Sequence, residues 1–272
     1  MTVLLTGSQG RIGRSLARSL PALGWQLRHF DRRPADPPSD NPAGSSADEQ
    51  LVGELTDPDA LDAAMAGVEA VVHLAGQPTE AGWPVIRESN IEGCYQLFEA
   101  ARRAGVRRVV YASSNHAVGF TPRPDDGQLP ADTPPRPDTL YGVSKVFGEA
   151  LGRYYHDRYG LRVACLRIGT FAEQPPDRRA QATWLGPQDC ARLVDACLRS
   201  PALGYALIWG ISANRDRWWS LAAGAELGYQ PEQDASHYPI PDRPDGVPLD
   251  LVGGSFTLPE QGIDEVAVRE NS

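Results

Sequence analysis

Tyr141 and Lys145 stand four residues apart, the spacing that brings two side chains together on one face of a helix. A phenol next to an ammonium suits a general base. The cation favours the phenolate and draws the tyrosine down from its ordinary value near 10, toward the range a base needs near neutral pH. Tyr-x-x-x-Lys is short, and a solvated helix face accounts for it equally well. Its meaning comes from its neighbours. Arg108-Val109-Val110-Tyr111-Ala112-Ser113-Ser114 reads as a strand ending in hydroxyls, with Asn115 and His116 immediately after. This is the richest polar cluster in the chain, and a hydroxyl there can hold a reacting oxygen by hydrogen bonding.

These groups need a scaffold, and the amino-terminal third describes one. Thr2 to Thr6 is a short β-branched apolar run that leads into Gly7-Ser8-Gln9-Gly10-Arg11-Ile12-Gly13, after which Ile12, Leu16, Leu20 and Leu23 recur at helical spacing. Small residues in such a turn let the backbone approach a pyrophosphate, and the free amides of the next helix face that charge. The spacing Gly-x-x-Gly-x-x-Gly differs from the usual dinucleotide fingerprint, so a purely structural turn is the competing reading. Trp25 to Asp31 reads as the second strand, and Asp31 lies 18 residues after Gly13. A carboxylate there accepts hydrogen bonds from a ribose diol and disfavours a 2'-phosphate. Arg32 and Arg33 could counter such a phosphate, but the acid points to NAD.

The later elements continue the alternation. Leu51 to Leu55 reads as a third strand with Glu54 either facing an adenine or simply solvated, and Ala70 to Gly76 as a fourth strand whose turn, Leu74-Ala75-Gly76, would let a cofactor pass. His73 within it is expected to be a core histidine. Asn90 opens a long helix, the proline-rich stretch from Thr121 to Asp138 is expected to form a lid or wall, and Leu161 to Ile168 is the sixth strand. Trp218 and Trp219 are read as packing residues that open a helix through Leu227, and from Pro231 onward as an extended tail.

With 272 residues and 41% hydrophobic content, the chain can bury one large core with a modest appendage. The net charge of -9 argues against duplex nucleic acid or an anionic membrane as partner. Cys94, Cys165, Cys190 and Cys197 lack metal-ligand spacing and read as reduced core thiols, with no metal expected. No signal-peptide pattern or long apolar span is legible, so the cytoplasm is the expected location.

The order of these features resembles the extended short-chain dehydrogenase/reductase family over roughly residues 1 to 175. That resemblance implies an α/β fold: a Rossmann-type doubly wound parallel sheet over residues 1–171, with a small substrate-binding portion and tail over 172–272. It makes Ser114, rather than Ser113, the partner of Tyr141 and Lys145 in a catalytic set. It also implies a cofactor groove along Gly7, Gln9, Gly10, Arg11, Ile12 and Gly13, then Asp31, Glu54, Leu55, Leu74, Ala75, Gly76, Asn90 and Ile168, reaching Tyr141 and Lys145.

A narrower similarity, to the NAD-dependent uronate dehydrogenases, runs through Ala112–His116, Leu140–Lys145, Arg167–Thr170, Thr183-Trp184, Trp209–Asn214 and Gly253–Phe256. It implies oxidation of a pyranose uronate at its anomeric carbon to a lactone. Arg179 is then the carboxylate clamp, with Arg178 beside it as rival, and Asn115, His116 and Thr170 join Ser114 and Tyr141 as sugar contacts. Two departures touch specificity: Pro78 stands where the family commonly has a serine, and Thr170 where a serine is familiar. A homo-oligomer through the helices of Asn90 and Tyr141 is also implied. The competing functions are a nucleotide-sugar epimerase or other reductase, and a dinucleotide-binding regulator without turnover.

Overall fold

The structure, a computed structural model, describes residues 1–34, 49–239 and 249–259. The polar, proline-bearing stretch at 35–47 and part of the segment from Pro231 onward therefore lie outside the described residues. Among the described residues nine strands run in chain order: β1 Thr2–Thr6, β2 Gln26–Asp31, β3 Glu49–Val52, β4 Ala70–His73, β5 Arg108–Ser114, β6 Arg162–Ile168, β7 Thr170–Phe171, β8 Trp184–Leu185 and β9 Tyr205–Gly210. Seven form one sheet in the order β3-β2-β1-β4-β5-β6-β9, and every pairing in it is parallel. β7 and β8 pair separately. The helices are α1 Arg11–Ser19, α2 Pro58–Met65, α3 Trp83–Ile86, α4 Gly93–Arg103, α5 Leu140–Tyr159, α6 Ala180–Thr183, α7 Pro187–Arg199 and α8 Ala222–Glu226.

Both faces of the sheet are covered, which explains why its central strands read as unbroken apolar runs. Successive strand residues point to opposite faces. Val3 and Leu5 thus join Leu16 of α1, Leu20 just after it, and Leu193, Val194 and Cys197 of α7 in one core. Leu4, between them, joins Leu61 of α2, Leu97 and Phe98 of α4 and Tyr155 of α5 in the other. The expected Rossmann-type sheet is present.

Several expectations shift in detail. The third strand is Glu49–Val52, not residues 51 to 55, and Leu55 after it is buried against α4, where a side chain on Gly93 would lie 2.8 Å from the Leu55 Cβ. The tryptophan pair does not open a helix. Trp219 stacks on Trp209 with ring centroids 4.3 Å apart, while Leu129 donates to the Trp218 carbonyl and Ser220 to that of Leu129, so this backbone runs beside the 121–138 loop and α8 begins only at Ala222. That loop is a packed wall: Leu129 and Ala131 share a core with Val118, Trp209, Trp219 and Val252.

The division expected at residues 171 and 172 is not a division of the sheet. β9 is its last strand, and the apolar side of α7 is buried against the face that also covers α1. Beyond 171, β8 and α6 lie outside the main sheet, with β8 paired to β7. All four cysteines are buried and unbridged, and burial pushes the thiols of Cys94, Cys190 and Cys197 up to about 12. Among the described residues no helix is long and apolar enough to cross a membrane, and no group of three acids, histidines or cysteines could hold a metal ion.

Candidate active site

The sheet order reverses between β1 and β4, the place where open α/β folds form a crevice beyond the carboxyl ends of their strands. The glycine turn after β1 meets the loop after β4 there. Gly7 has φ +69, and a Cβ on it would lie 2.7 Å from the Ala75 nitrogen; a Cβ on Gly13 would lie 2.2 Å from the Gly7 carbonyl oxygen. No larger residue keeps this turn as it is. Gly10 caps α1 without a side-chain hydrogen bond, and the first turn of α1 carries no acid, so its amides are left for an anion.

Asp31, at the end of β2, accepts from the Gln9 amide at 2.9 Å and the Arg33 amide at 3.0 Å and is nearly buried. Arg33 is exposed and donates to the Gln9 carbonyl at 2.9 Å. A glycine cradle, free helix amides and a carboxylate one strand away fit an adenine dinucleotide with an unphosphorylated ribose.

Of the other expected cofactor residues, Ile12 is half-buried against the core, Ile168 is buried at the end of β6, and Glu54 is exposed. Arg11 is committed elsewhere, donating to the Phe171 carbonyl at 3.0 Å and so tying the glycine turn to β7.

Asn90 does not open a helix; it lies in a π-helical turn, Arg87–Glu92, between α3 and α4. Its amide is fully engaged. The oxygen accepts from the Gln77 nitrogen at 2.7 Å, and the two hydrogens go to the Gln77 carbonyl at 3.1 Å and the Ser144 hydroxyl at 2.9 Å. Asn90 therefore locks the loop after β4 to α5 and leaves no donor for a cofactor. A Cβ on Gly76 would meet its oxygen at 2.7 Å.

α5 begins at a Thr139 cap whose hydroxyl accepts from the Gly142 amide at 3.0 Å. Glu80 completes the cap, accepting from Leu140 at 3.2 Å and Tyr141 at 2.7 Å. A carboxylate at a helix amino terminus is stabilised by the helix dipole. Glu80 carried no sequence signal, because its partners lie 60 and 61 residues away.

The helix brings the Tyr141 phenol beside Ser114, whose hydroxyl favours the phenolate. Lys145 is buried, donates to the Ala112 carbonyl at 2.9 Å, and holds its ammonium 5.2 Å from the centre of the Tyr141 ring. The expected effect of the lysine on the tyrosine is not what dominates. Burial pushes the phenol up to about 12, the Ser114 hydrogen bond pulls against it, and the Asp138 charge adds to the rise. Burial also brings the Lys145 ammonium down to about 8. In this dry site each group resists its own charge, and the ammonium is aimed at a strand carbonyl. Ser113 faces away and donates to Glu149 at 2.5 Å, where Arg167 also binds, so Ser114 is the hydroxyl that meets the tyrosine.

Across from Tyr141, His116 Nδ1 lies 2.8 Å from Asp138 Oδ2, with Phe256 packed on its ring at 4.2 Å. Asp138 was not read as functional from the sequence; its place just before the Thr139 cap was the available signal. Its carboxylate sits so close to Gly119 and Gly253 that a Cβ on either would fall 1.9 Å from Oδ2.

The segment 249–259 is not a loose tail. It folds back so that the Val252 amide donates to the Thr121 carbonyl at 3.0 Å and the Gly253 amide to that of Gly119 at 2.8 Å. The Val252 carbonyl then accepts from Asn115 Nδ2 at 3.1 Å and from Arg179. Arg179 also donates to the Thr170 hydroxyl at 3.3 Å, and Thr170 shares a hydrogen bond with Thr183 at 2.9 Å. Among the described residues Arg179 has no ion pair. Burial lowers its guanidinium, opposed by the charges of Asp177 and Asp138. The structure thus joins Ser114, Asn115, His116, Tyr141, Thr170 and Arg179 through adjacent contacts.

A parallel Rossmann sheet, a dinucleotide cradle and a Ser-Tyr-Lys set at the strand ends define a dinucleotide-dependent oxidoreductase. The chain belongs to the NAD-dependent epimerase/dehydratase family, the extended short-chain dehydrogenase/reductases, whose family model matches residues 3–183.

Among its relatives, uronate dehydrogenase from Pseudomonas putida is 36% identical over 236 residues, covering 87% of this chain and 85% of that one. NAD-dependent glucose-6-phosphate dehydrogenase from Haloferax volcanii is 40% identical, covering 91% of this chain and 98% of that one. A crystal structure of a mutant uronate dehydrogenase from Agrobacterium tumefaciens in complex with NAD aligns with a TM-score of 0.84 at 37% identity, covering 94% of this chain and 96% of that one.

Proposed function

We propose that this chain is an NAD-dependent uronate dehydrogenase, oxidising the anomeric carbon of D-glucuronate or D-galacturonate in pyranose form to the lactone. The observation that carries the substrate class is Arg179: a half-buried guanidinium, without an ion pair among the described residues, joined to Asn115 through the Val252 carbonyl. A planar guanidinium grips a carboxylate through two parallel hydrogen bonds, which suits the acid group of a uronate.

When bound, NAD supplies the hydride acceptor and a pyridinium charge; Gly7, Gly10, Gly13, the α1 amides and Asp31 hold it. The Lys145 ammonium, with the pyridinium charge of the bound cofactor, would offset the burial that keeps the phenol neutral, and Tyr141 as phenolate then accepts the proton of the anomeric hydroxyl. Ser114, beside the phenol, holds the reacting oxygen. Lys145 keeps a positive charge under the site while protonated, and Asp138 orients His116 so that its far nitrogen faces the sugar. Asn115 and Thr170 align Arg179 through the Val252 carbonyl and the Thr170 hydroxyl.

A second reading has its own support in the 40% identity to a glucose-6-phosphate dehydrogenase. A sugar 6-phosphate also places an anion at the far end from C1, so the same clamp would serve it. NADH formation with purified protein separates the two. Turnover with glucuronate and galacturonate, and little with glucose, galactose or glucose 6-phosphate, is the expected pattern. Preference for glucose 6-phosphate would transfer the assignment to the phosphorylated sugar, and equal rates with neutral sugars would remove the anion clamp.

We further propose a homo-oligomer formed through the outer face of α3, α4 and α5, where Trp83, Val85, Tyr95, Val143 and Tyr154 are exposed; sedimentation showing only a monomer would contradict it. The four unbridged thiols accord with the reducing cytoplasm.

A further inference from the structure

The amino-terminal ends of the strands, opposite the glycine turn, carry a second concentration of charge that the chemistry above does not use. Arg107 lies just before β5, Arg108 is its first residue and Arg162 is the first residue of β6; Arg108 and Arg162 are paired in register. Like charges directly abreast on neighbouring strands repel, so this placement works against the fold unless something offsets it. Two adjoining concavities, of about 430 and 420 Å³, open here, and both are lined by Arg107 and Arg162.

The second concavity is the more charged. Its wall holds Arg107, Arg108, Arg162 and Arg199 against a single acid, Glu69, which lies 3.9 Å from the amino terminus. Arg199 is already committed, to Asp195 at 2.8 Å and to the Leu23 carbonyl at 2.5 Å. Arg108 is buried, and among the described residues the one acceptor its side chain reaches is the Cys197 carbonyl at 2.5 Å. Among the described residues Arg107 and Arg162 have no side-chain hydrogen bond and no carboxylate partner. Burial and the neighbouring Arg162 both disfavour the Arg108 charge, which an anion would relieve. A buried cation without a carboxylate, flanked by two free ones, is costly in isolation.

We propose that this concavity binds a small phosphoryl oxyanion of at least two charges, such as a phosphate ester or pyrophosphate, held by Arg107, Arg108 and Arg162. Guanidinium forks match phosphoryl oxygens in pairs. The volume is at the lower end of small-molecule sites, and the net charge of -9 repels extended polyanions, so the ligand is small. The site is separate from the glycine turn, which lies at the carboxyl end of β1, whereas Arg108 and Arg162 begin their strands.

The test is thermal unfolding with saturating NAD, which fills the glycine turn, in pyrophosphate, inorganic phosphate, or sodium chloride at matched ionic strength. At ten times its Kd pyrophosphate should raise Tm by about 3–5 °C over chloride, and inorganic phosphate by less. The double variant Arg107→Gln with Arg162→Gln should lose this shift while keeping its rate of NADH formation. An equal shift in chloride, or an undiminished one in the double variant, would overturn the proposal. Should the variant unfold early, phosphorus NMR of pyrophosphate with the unaltered protein decides: line broadening under saturating NAD is expected, and its absence counts against the site.

Discussion

The cofactor half and the substrate half of the site are built differently. Around β1 and β2 the fit comes from backbone: glycines that leave room, amides at the start of α1, and one acid at a strand end. Around Tyr141 it comes from side chains and carbonyls drawn from residues 80, 114–116, 138, 170–183 and 252–256, closed where Asn115 and Arg179 share the Val252 carbonyl. A backbone cradle depends on local sequence and tolerates little change. A side-chain cage depends on long-range closure, and specificity can change there without disturbing the fold.

The sharpest way to separate the halves is Tyr141→Phe. Loss of a general base should lower kcat by about 10²–10⁴-fold, with NAD affinity, measured by calorimetry, nearly intact. Loss of NAD binding as well would mean that the two halves are not separable. Arg179→Lys should act on the substrate half alone. Replacing a bidentate charge-assisted pair with a point charge is worth about 2 kcal/mol, so KM for uronate should rise roughly 30-fold in steady-state assays while kcat changes less.

Gly13→Ala strikes the other half. Its Cβ would fall 2.2 Å from the Gly7 carbonyl oxygen, so overpacking of about 1–3 kcal/mol is expected, read as a lower Tm together with weaker NAD binding.

Two further effects test the junction between the halves. His73 is held neutral: burial first, and then the Lys145 charge, bring it from 6.5 to about 3. The unfolded chain therefore takes up a proton that the fold refuses, so stability present above pH 6.5 is lost as pH falls toward 3. The slope from this group is about 1.4 kcal/mol per pH unit, measurable by urea unfolding between about pH 6 and 4 and absent in a His73→Gln variant. Glu80→Gln weakens the cap on α5 and should cost about 1 kcal/mol, with a modest fall in kcat. An unchanged Tm would show that Thr139 caps the helix unaided.

The same contrast explains what could be read from the chain. Gly7, Gly10, Gly13 and Asp31 were legible because a tight turn and a strand end impose residue types locally. Tyr141 and Lys145 were legible because one helix carries both, and Ser114 because it ends a strand. Glu80 and the Val252 carbonyl were not. A half-buried glutamate in a loop looks like any solvated acid, and a carbonyl contributes through position alone. The tryptophan pair misled for a related reason: an apolar run before a helical pattern does not show that the backbone pairs instead with Leu129. Asn90 was found for its place, but its amide proved to hold the β4 loop to Ser144.

The most direct test of the account is isotopic: glucuronate carrying deuterium at its anomeric carbon, incubated with the protein and NAD, with the NADH formed examined by mass spectrometry. Deuterium found in the NADH, together with a slowed single-turnover rate, is the predicted result. NADH formed without deuterium would place the oxidation at another carbon and contradict the assignment of Tyr141, Ser114 and Arg179 to the anomeric reaction.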